Sequence, residues 1–224
     1  MLEALKNQVV LYAREAEAMG LCRHRSGNFS ARDQASGLIC MTPTGADRKT
    51  MQPEDVVVMN GQAEIVEALT GRRPTSEALM HLAAYEARPD VKAVVHTHSK
   101  YALTFAVLRK TIPAIVSEIA HLGCRQGYIP VAAYGRQGSQ ALADSVREPL
   151  AISDVMLLAG HGVLTVDAGS LDGALLKAAY VEEIAEIYYH TLLLSGGKDP
   201  VLLSAEDLRL QYPAAVTEKS EMPV

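Results

Sequence analysis

Short apolar runs, each closed off by turn residues, are set among amphipathic stretches without strict alternation, a pattern that limits this chain to a sheet flanked by helices. Strand-like runs fall at residues 29–32, 38–41, 56–59 (followed by the hairpin pair Asn60-Gly61), 91–96, 128–132, 155–159 and 163–166. The last two flank Gly160-His161-Gly162. Residues 2–19 carry Leu2, Leu5, Val9, Tyr12, Ala16 and Met19 at helical spacing, and Gly20 can end that helix. A second helix runs through EALMHLAAYEAR, capped by Thr75 or Ser76 and stopped by Pro89. Helical patterns also cover 99–108, 138–147 and 170–194. The expected fold class is α/β, a three-layer α/β/α arrangement with a mainly antiparallel or mixed central sheet. At 224 residues one domain over 1–224 is expected, with the last dozen residues, PAAVTEKSEMPV, as a loose tail.

Charge and cysteine use narrow the function classes. A net charge of −5 disfavours non-specific nucleic-acid binding, which depends on a basic surface. No apolar run approaches the roughly 20 residues that span a bilayer, so no membrane partner is expected, and the charged, helical opening does not read as a secretory signal. Cys22, Cys40 and Cys124 are odd in number and widely spaced, which suits free thiols in a reducing, cytoplasmic compartment.

The stretch AVVHTHSK places His96 and His98 on one face of a strand, two residues apart. Alone, the pair reads as two exposed or core-satisfied histidines. Two further residues change that reading. His161, between two glycines, is held at a bend with room around it, and Glu77 opens a helix, where the dipole favours a carboxylate. Three neutral imidazoles and a carboxylate make a plausible Zn²⁺ shell with a position open to substrate. Such a cation polarises a carbonyl and stabilises a developing enediolate, while the neighbouring carboxylate moves a proton. His81 lies one helical turn after Glu77, and His24 and His190 read as surface or cap residues. Three small-residue turns, 25–30, 42–45 and 75–76, offer backbone N–H groups and hydroxyls suited to a phosphate. Neither GxxxxGK[ST] nor a post-strand GxGxxG is present, which disfavours nucleotide binding.

SGNFSAR, MTPTG, PTSEALMHLAAYEARPD, AVVHTHS and GHGVLTV occur in the order and spacing of the class II aldolase/adducin family, which this sequence resembles from about residue 5 to 195. The resemblance implies a metal-dependent lyase, an aldolase cleaving a ketose 1-phosphate such as L-fuculose 1-phosphate or a related deoxy-ketose phosphate. It also implies a homotetramer with active sites at subunit interfaces. His96, His98, His161 and Glu77 would bind one Zn²⁺ per subunit, or another divalent cation, and Glu77 would act as acid/base. Gly27, Asn28, Thr44, Gly45, Thr75 and Ser76 would bind the substrate phosphate, with Asn28 also contacting the enediolate. One departure stands out. Where the phosphosugar aldolases carry a proton-donating tyrosine from the neighbouring subunit, this chain has Ser117, with Glu118 beside it. A serine hydroxyl is a poor substitute for a phenol of pKa about 10, so Glu118 is the candidate second catalytic group; Tyr128, Tyr134, Tyr212 and His121 are alternatives. The same scaffold serves sugar-phosphate dehydratases and 4-epimerases, a second reading, and a non-catalytic adducin-like module is a third.

Overall fold

The structure, a computed structural model, describes residues 2–211. In chain order it forms α1 (Glu3–Ala18), β1 (Asn28–Arg32), β2 (Ile39–Met41), β3 (Val57–Met59), β4 (Ile65–Glu67), α2 (Ala78–Ala87), β5 (Ala93–Thr97), α3 (Lys100–Leu108) and β6 (Ile112–Pro113). A 3-10 turn (Ser117–Leu122) leads to β7 (Tyr128–Ile129), β8 (Val131–Ala132), α4 (Gln140–Ser145), α5 (Arg147–Ile152), β9 (Val155–Leu158), β10 (Gly162–Asp167), α6 (Leu171–Leu194) and α7 (Ala205–Gln211). The proposed tail and Tyr212 lie outside the described residues.

Eight strands form one sheet in the order β4-β3-β2-β1-β5-β10-β9-β8. Every pairing in it is antiparallel except β8 with β9. The mixed, mainly antiparallel sheet between helix layers is the architecture expected from the strand spacing. Both faces of the central strands are covered, so their residues alternate between two apolar layers. Ile39, Met41, Val57, Met59, Val94, Leu164 and Val166 pack with residues of α2, α4 and α5. Phe29, Ala31, Cys40, Val58, Ala93 and Val95 pack on the opposite side with residues of α1 and α6. Helix α6 is long because Leu171, Ala174, Leu175, Ala178, Val181, Ile184, Ala185 and Tyr188 keep one apolar stripe buried at three- and four-residue spacing.

One polar contact ties this scaffold to the functional end. The Glu182 carboxylate on α6 accepts from the backbone N–H groups of Tyr101 and Ala102, each at 2.9 Å, satisfying donors left free at the start of α3. That helix begins immediately after the paired histidines, so their downstream backbone is anchored. The three cysteines are free, and all are buried, which pushes their thiols up, to about 11 for Cys22 and about 12 for Cys40 and Cys124.

Candidate active site

Strand alternation sorts the polar residues to one side. Phe29 and Ala31 of β1, like Ala93 and Val95 of β5, face α1 and α6, so Asn28, Ser30 and His96 face α2. The β1–β5 register sets Asn28 directly opposite His96. Helix α2 presents Glu77 at its N-cap, then His81 and Tyr85 at four-residue spacing on the same face. Neither Thr75 nor Ser76 holds the cap position expected from sequence. The Thr75 N–H is engaged by the Thr42 carbonyl at 2.9 Å, which places the helix boundary at Glu77; the Thr75 hydroxyl accepts from the Glu77 N–H at 3.3 Å.

These residues form a buried polar chain whose directions are fixed by donor inventory. Asn28 Nδ2 donates to Glu77 Oε2 at 2.7 Å, which leaves Asn28 Oδ1 to accept from His81 Nε2. His81 therefore carries its proton on Nε2, and its Nδ1 accepts from Ser30 Oγ at 2.7 Å. Ser30 Oγ in turn accepts from the Tyr85 hydroxyl at 2.9 Å. Sequence reasoning passed over His81, Ser30 and Tyr85. The available signal was the 77/81/85 spacing on a helix opposite the 28/30 spacing on a strand.

At the other end of the chain, the three histidines converge. The His96 Nδ1–H donates to the Val163 carbonyl at 2.8 Å, which leaves the Nε2 lone pair facing inward. That atom lies 3.0 Å from His98 Nε2 and 3.2 Å from Glu77 Oε2, and His161 Nε2 lies 3.1 Å from Glu77 Oε1. Both ring nitrogens of His161 and Glu77 Oε1 are buried without a hydrogen-bond partner. Ligands about 2.0–2.2 Å from one tetrahedral ion sit roughly 3.3 Å from each other. Converging lone pairs at that spacing, several of them orphaned, are what a bound cation resolves. The donor set therefore fits a divalent metal, and His96, His98 and His161 could hold it with Glu77.

Two glycines make the convergence possible. At Gly162 any Cβ would collide with the Thr97 carbonyl oxygen and lie 3.1 Å from His96 Cε1. Gly27 has φ +75°, and a side chain there would meet the His96 carbonyl oxygen and Cys22 Sγ.

Burial disfavours charge at His96 and His98. It lowers His98 to about 3, with His96 and His161 adding to the effect, and it lowers His96 as well. At Glu77 burial pushes the carboxyl up, but His96, His161 and the Asn28 amide outweigh it and hold the group below the ordinary carboxylate range. Full burial lowers His81 to about 3. The unfolded chain takes up a proton at this histidine near pH 6.5, whereas the folded chain resists until about 3. Stability is thus full above about pH 6.5 and falls below it, by up to about 1.4 kcal/mol per pH unit for this one group. The urea midpoint is expected to drop between pH 7 and pH 5.5; an unchanged midpoint would refute the neutral buried histidine.

The three turns singled out for phosphate come together beside this cluster. Thr42 Oγ1 accepts from the Phe29 N–H at 3.1 Å, and Thr44 N–H donates to the Arg73 carbonyl at 3.1 Å. With the Thr75–Thr42 bond, these contacts bring Gly27, Asn28, Thr44, Gly45, Thr75 and Ser76 around one cleft of about 230 Å³, which His98 and Glu77 also line. Glu118 is not brought into it. It lies exposed on the 3-10 turn, accepting from the Ser117 hydroxyl at 3.3 Å, and neither residue lines the cleft. His24 and His190 are exposed, as read.

Residues 7–189 match the family described as Class II Aldolase and Adducin N-terminal domain. A 5-deoxy-D-ribulose 1-phosphate aldolase of Bacillus thuringiensis serovar kurstaki is 34% identical over 208 residues, covering 93% of each chain. An L-fuculose phosphate aldolase of Escherichia coli O6:H1 is 35% identical over 216 residues, covering 96% of this chain and 93% of that protein. Among solved structures, an L-fuculose 1-phosphate aldolase superposes with a TM-score of 0.86 at 31% identity, covering 94% of this chain and 95% of its own.

Proposed function

This chain belongs to the class II aldolase and adducin family, and from that premise we propose that it is a divalent-metal-dependent aldolase acting on a ketose 1-phosphate. The substrate is L-fuculose 1-phosphate or a related deoxy-ketose phosphate, a class that includes the 5-deoxyribulose 1-phosphate of one relative's name. Cleavage breaks C3–C4, leaving dihydroxyacetone phosphate and an aldehyde. The observation that carries this reading is the convergence of the His96, His98 and His161 ring nitrogens on the Glu77 carboxylate, with those of His161 and Glu77 Oε1 left unpartnered, beside a cleft of small hydroxyl-bearing turns.

Zn²⁺ or another divalent cation held there supplies a Lewis acid for the ketose carbonyl and for the charge left when C3–C4 breaks. Glu77 delivers the proton to C3 as the electron pair of the broken bond settles there, and regains it in the reverse, condensing direction. Its Oε1 is the free atom for this transfer, while Oε2 is held by the Asn28 amide. The Asn28 amide is oriented by Glu77 itself, whose carboxylate oxygen can only accept, so Nδ2 must face it. The turns at Gly27, Thr44–Gly45 and Thr75–Ser76 cradle the phosphate and so fix which carbon meets Glu77.

Removal of the C4 hydroxyl proton, as the aldehyde forms, is assigned to Glu118 of a neighbouring copy in a homotetramer. Its exposure in one chain suits that use. Product analysis tests the proposal: cleavage liberates triose phosphate, whereas dehydration or 4-epimerisation of the same sugar phosphate liberates none. Among the described residues no helix is long and apolar enough to cross a membrane.

A further inference from the structure

Two basic side chains among the described residues are nine-tenths or more buried, and only one of them has a carboxylate partner. Lys6 is paired with Glu67. Arg48, 4% exposed, has none, because the neighbouring Asp47 turns to Arg25 instead at 3.9 Å. Arg48 Nη2 donates to the carbonyl oxygens of Ser26 and Gly27, and the guanidinium lies over the Phe29 ring at 5.7 Å. Its Nε and Nη1 are buried with no partner. An uncompensated cation buried this way is costly, and carbonyl dipoles offset only part of the penalty. An anion in the adjoining cleft offsets the charge.

The position of Arg48 says where that anion sits. Arg48 lines the cleft, following directly on the Thr42–Gly45 turn and bonded to the Ser26–Gly27 turn, while Glu77 and His98 line the same cleft. We infer that Arg48 is the buried counter-charge for the substrate's phosphate, drawing the phosphate end toward the glycine and hydroxyl turns and leaving the reacting carbons to Glu77. This rests on the ketose-phosphate reading above. The free N–H groups are closed off from solvent, so Arg48 acts through the cradle wall, by charge and by holding the Ser26 and Gly27 carbonyls, as a positioning residue. Nothing in the sequence marks it out from the neighbouring Lys49 or Arg25, which are exposed.

The test is binding of inorganic phosphate to the metal-loaded protein by calorimetry, for the wild type, Arg48→Lys and Arg48→Gln, with metal content measured alongside. Wild type is expected to bind phosphate. Arg48→Gln is expected to weaken it on the order of tenfold to a hundredfold, the range for a charge-assisted interaction, with KM for the ketose phosphate rising in parallel and kcat and metal content held. Arg48→Lys restores the charge without the two-carbonyl fork and is expected to keep most of the affinity. Equal phosphate binding by Arg48→Gln, or a Lys variant as weak as the Gln one, overturns the role of charge at Arg48. Should the Gln protein fail to fold, loss of phosphate affinity in the Lys protein still overturns it. A wild type that does not bind phosphate at all overturns the phosphate cradle itself.

Discussion

Replacing Glu77 by Gln is expected to lower kcat by about 10³-fold, the middle of the range for a positioned general acid–base group, while leaving the protein folded. The expectation follows from two separate features of the carboxylate. Its Oε2 accepts from the Asn28 amide at 2.7 Å, and its Oε1 faces His161 Nε2 at 3.1 Å with no aligned partner. Gln fits both places: its carbonyl oxygen can accept from Asn28, and its amide N–H can donate toward His161. The isostere also removes a charge that is 99% buried, which relieves its desolvation but gives up the partner interactions that hold the carboxylate below its ordinary range. The shape of the site therefore survives, and what is lost is the capacity to carry a proton together with the negative charge Glu77 offers the cation. Steady-state kinetics with thermal melting separates these effects. Full activity in Glu77→Gln would remove Glu77 from the chemistry.

His96→Ala is expected to have an effect of similar size by a different route, loss of the metal. His96 is fully buried, with Nδ1–H held by the Val163 carbonyl and Nε2 within 3.2 Å of both His98 and Glu77. A four-ligand site worth about 10–16 kcal/mol loses roughly a quarter of that with one ligand, or about 10²–10³ in affinity. Deletion also strips the Val163 carbonyl of its donor and leaves a cavity beside β10, so the apo protein itself is expected to be less stable. Metal content after dialysis and activity should fall together. Retention of stoichiometric metal by the variant would show that the cation sits elsewhere.

How much of this was legible depends on where the pattern is local. The sheet and its helices follow from alternation and from three- and four-residue spacing, and the sequence boundaries agree with the structure within a few residues over β1, β2, β5, β10 and α6. Strand β4 was not read, because Ile65 and Val66 lie exposed at a sheet edge and carry no buried alternation. Residues 138–147 read as one helix but belong to two, α4 and α5, with Val146 as the joint between them. The 128–132 run is divided at Pro130, which lacks an N–H, so that β7 pairs with β6 in a small separate sheet and β8 joins the large one. In the site, His96 and His98 were visible as a strand pair and His161 by its bracketing glycines. The Tyr85–Ser30–His81–Asn28 chain depends on register between β1 and α2, and the lack of a partner for Arg48 depends on where every carboxylate ends up. Both are tertiary facts. Glu118, singled out by its neighbour Ser117, is positioned by this chain at its surface and not in its own cleft.

Metal-dependent cleavage is tested most directly by triose-phosphate release from 5-deoxyribulose 1-phosphate and L-fuculose 1-phosphate by the wild-type protein as purified, stripped by chelator, and resupplied with Zn²⁺, with metal counted at each stage. The expected result is one divalent ion per chain, release of dihydroxyacetone phosphate from at least one of the two sugars, loss of that release on stripping, and its return with metal. A metal-free protein that cleaves at the same rate, or a metal-loaded one that consumes the sugar phosphate without yielding any triose phosphate, would contradict it.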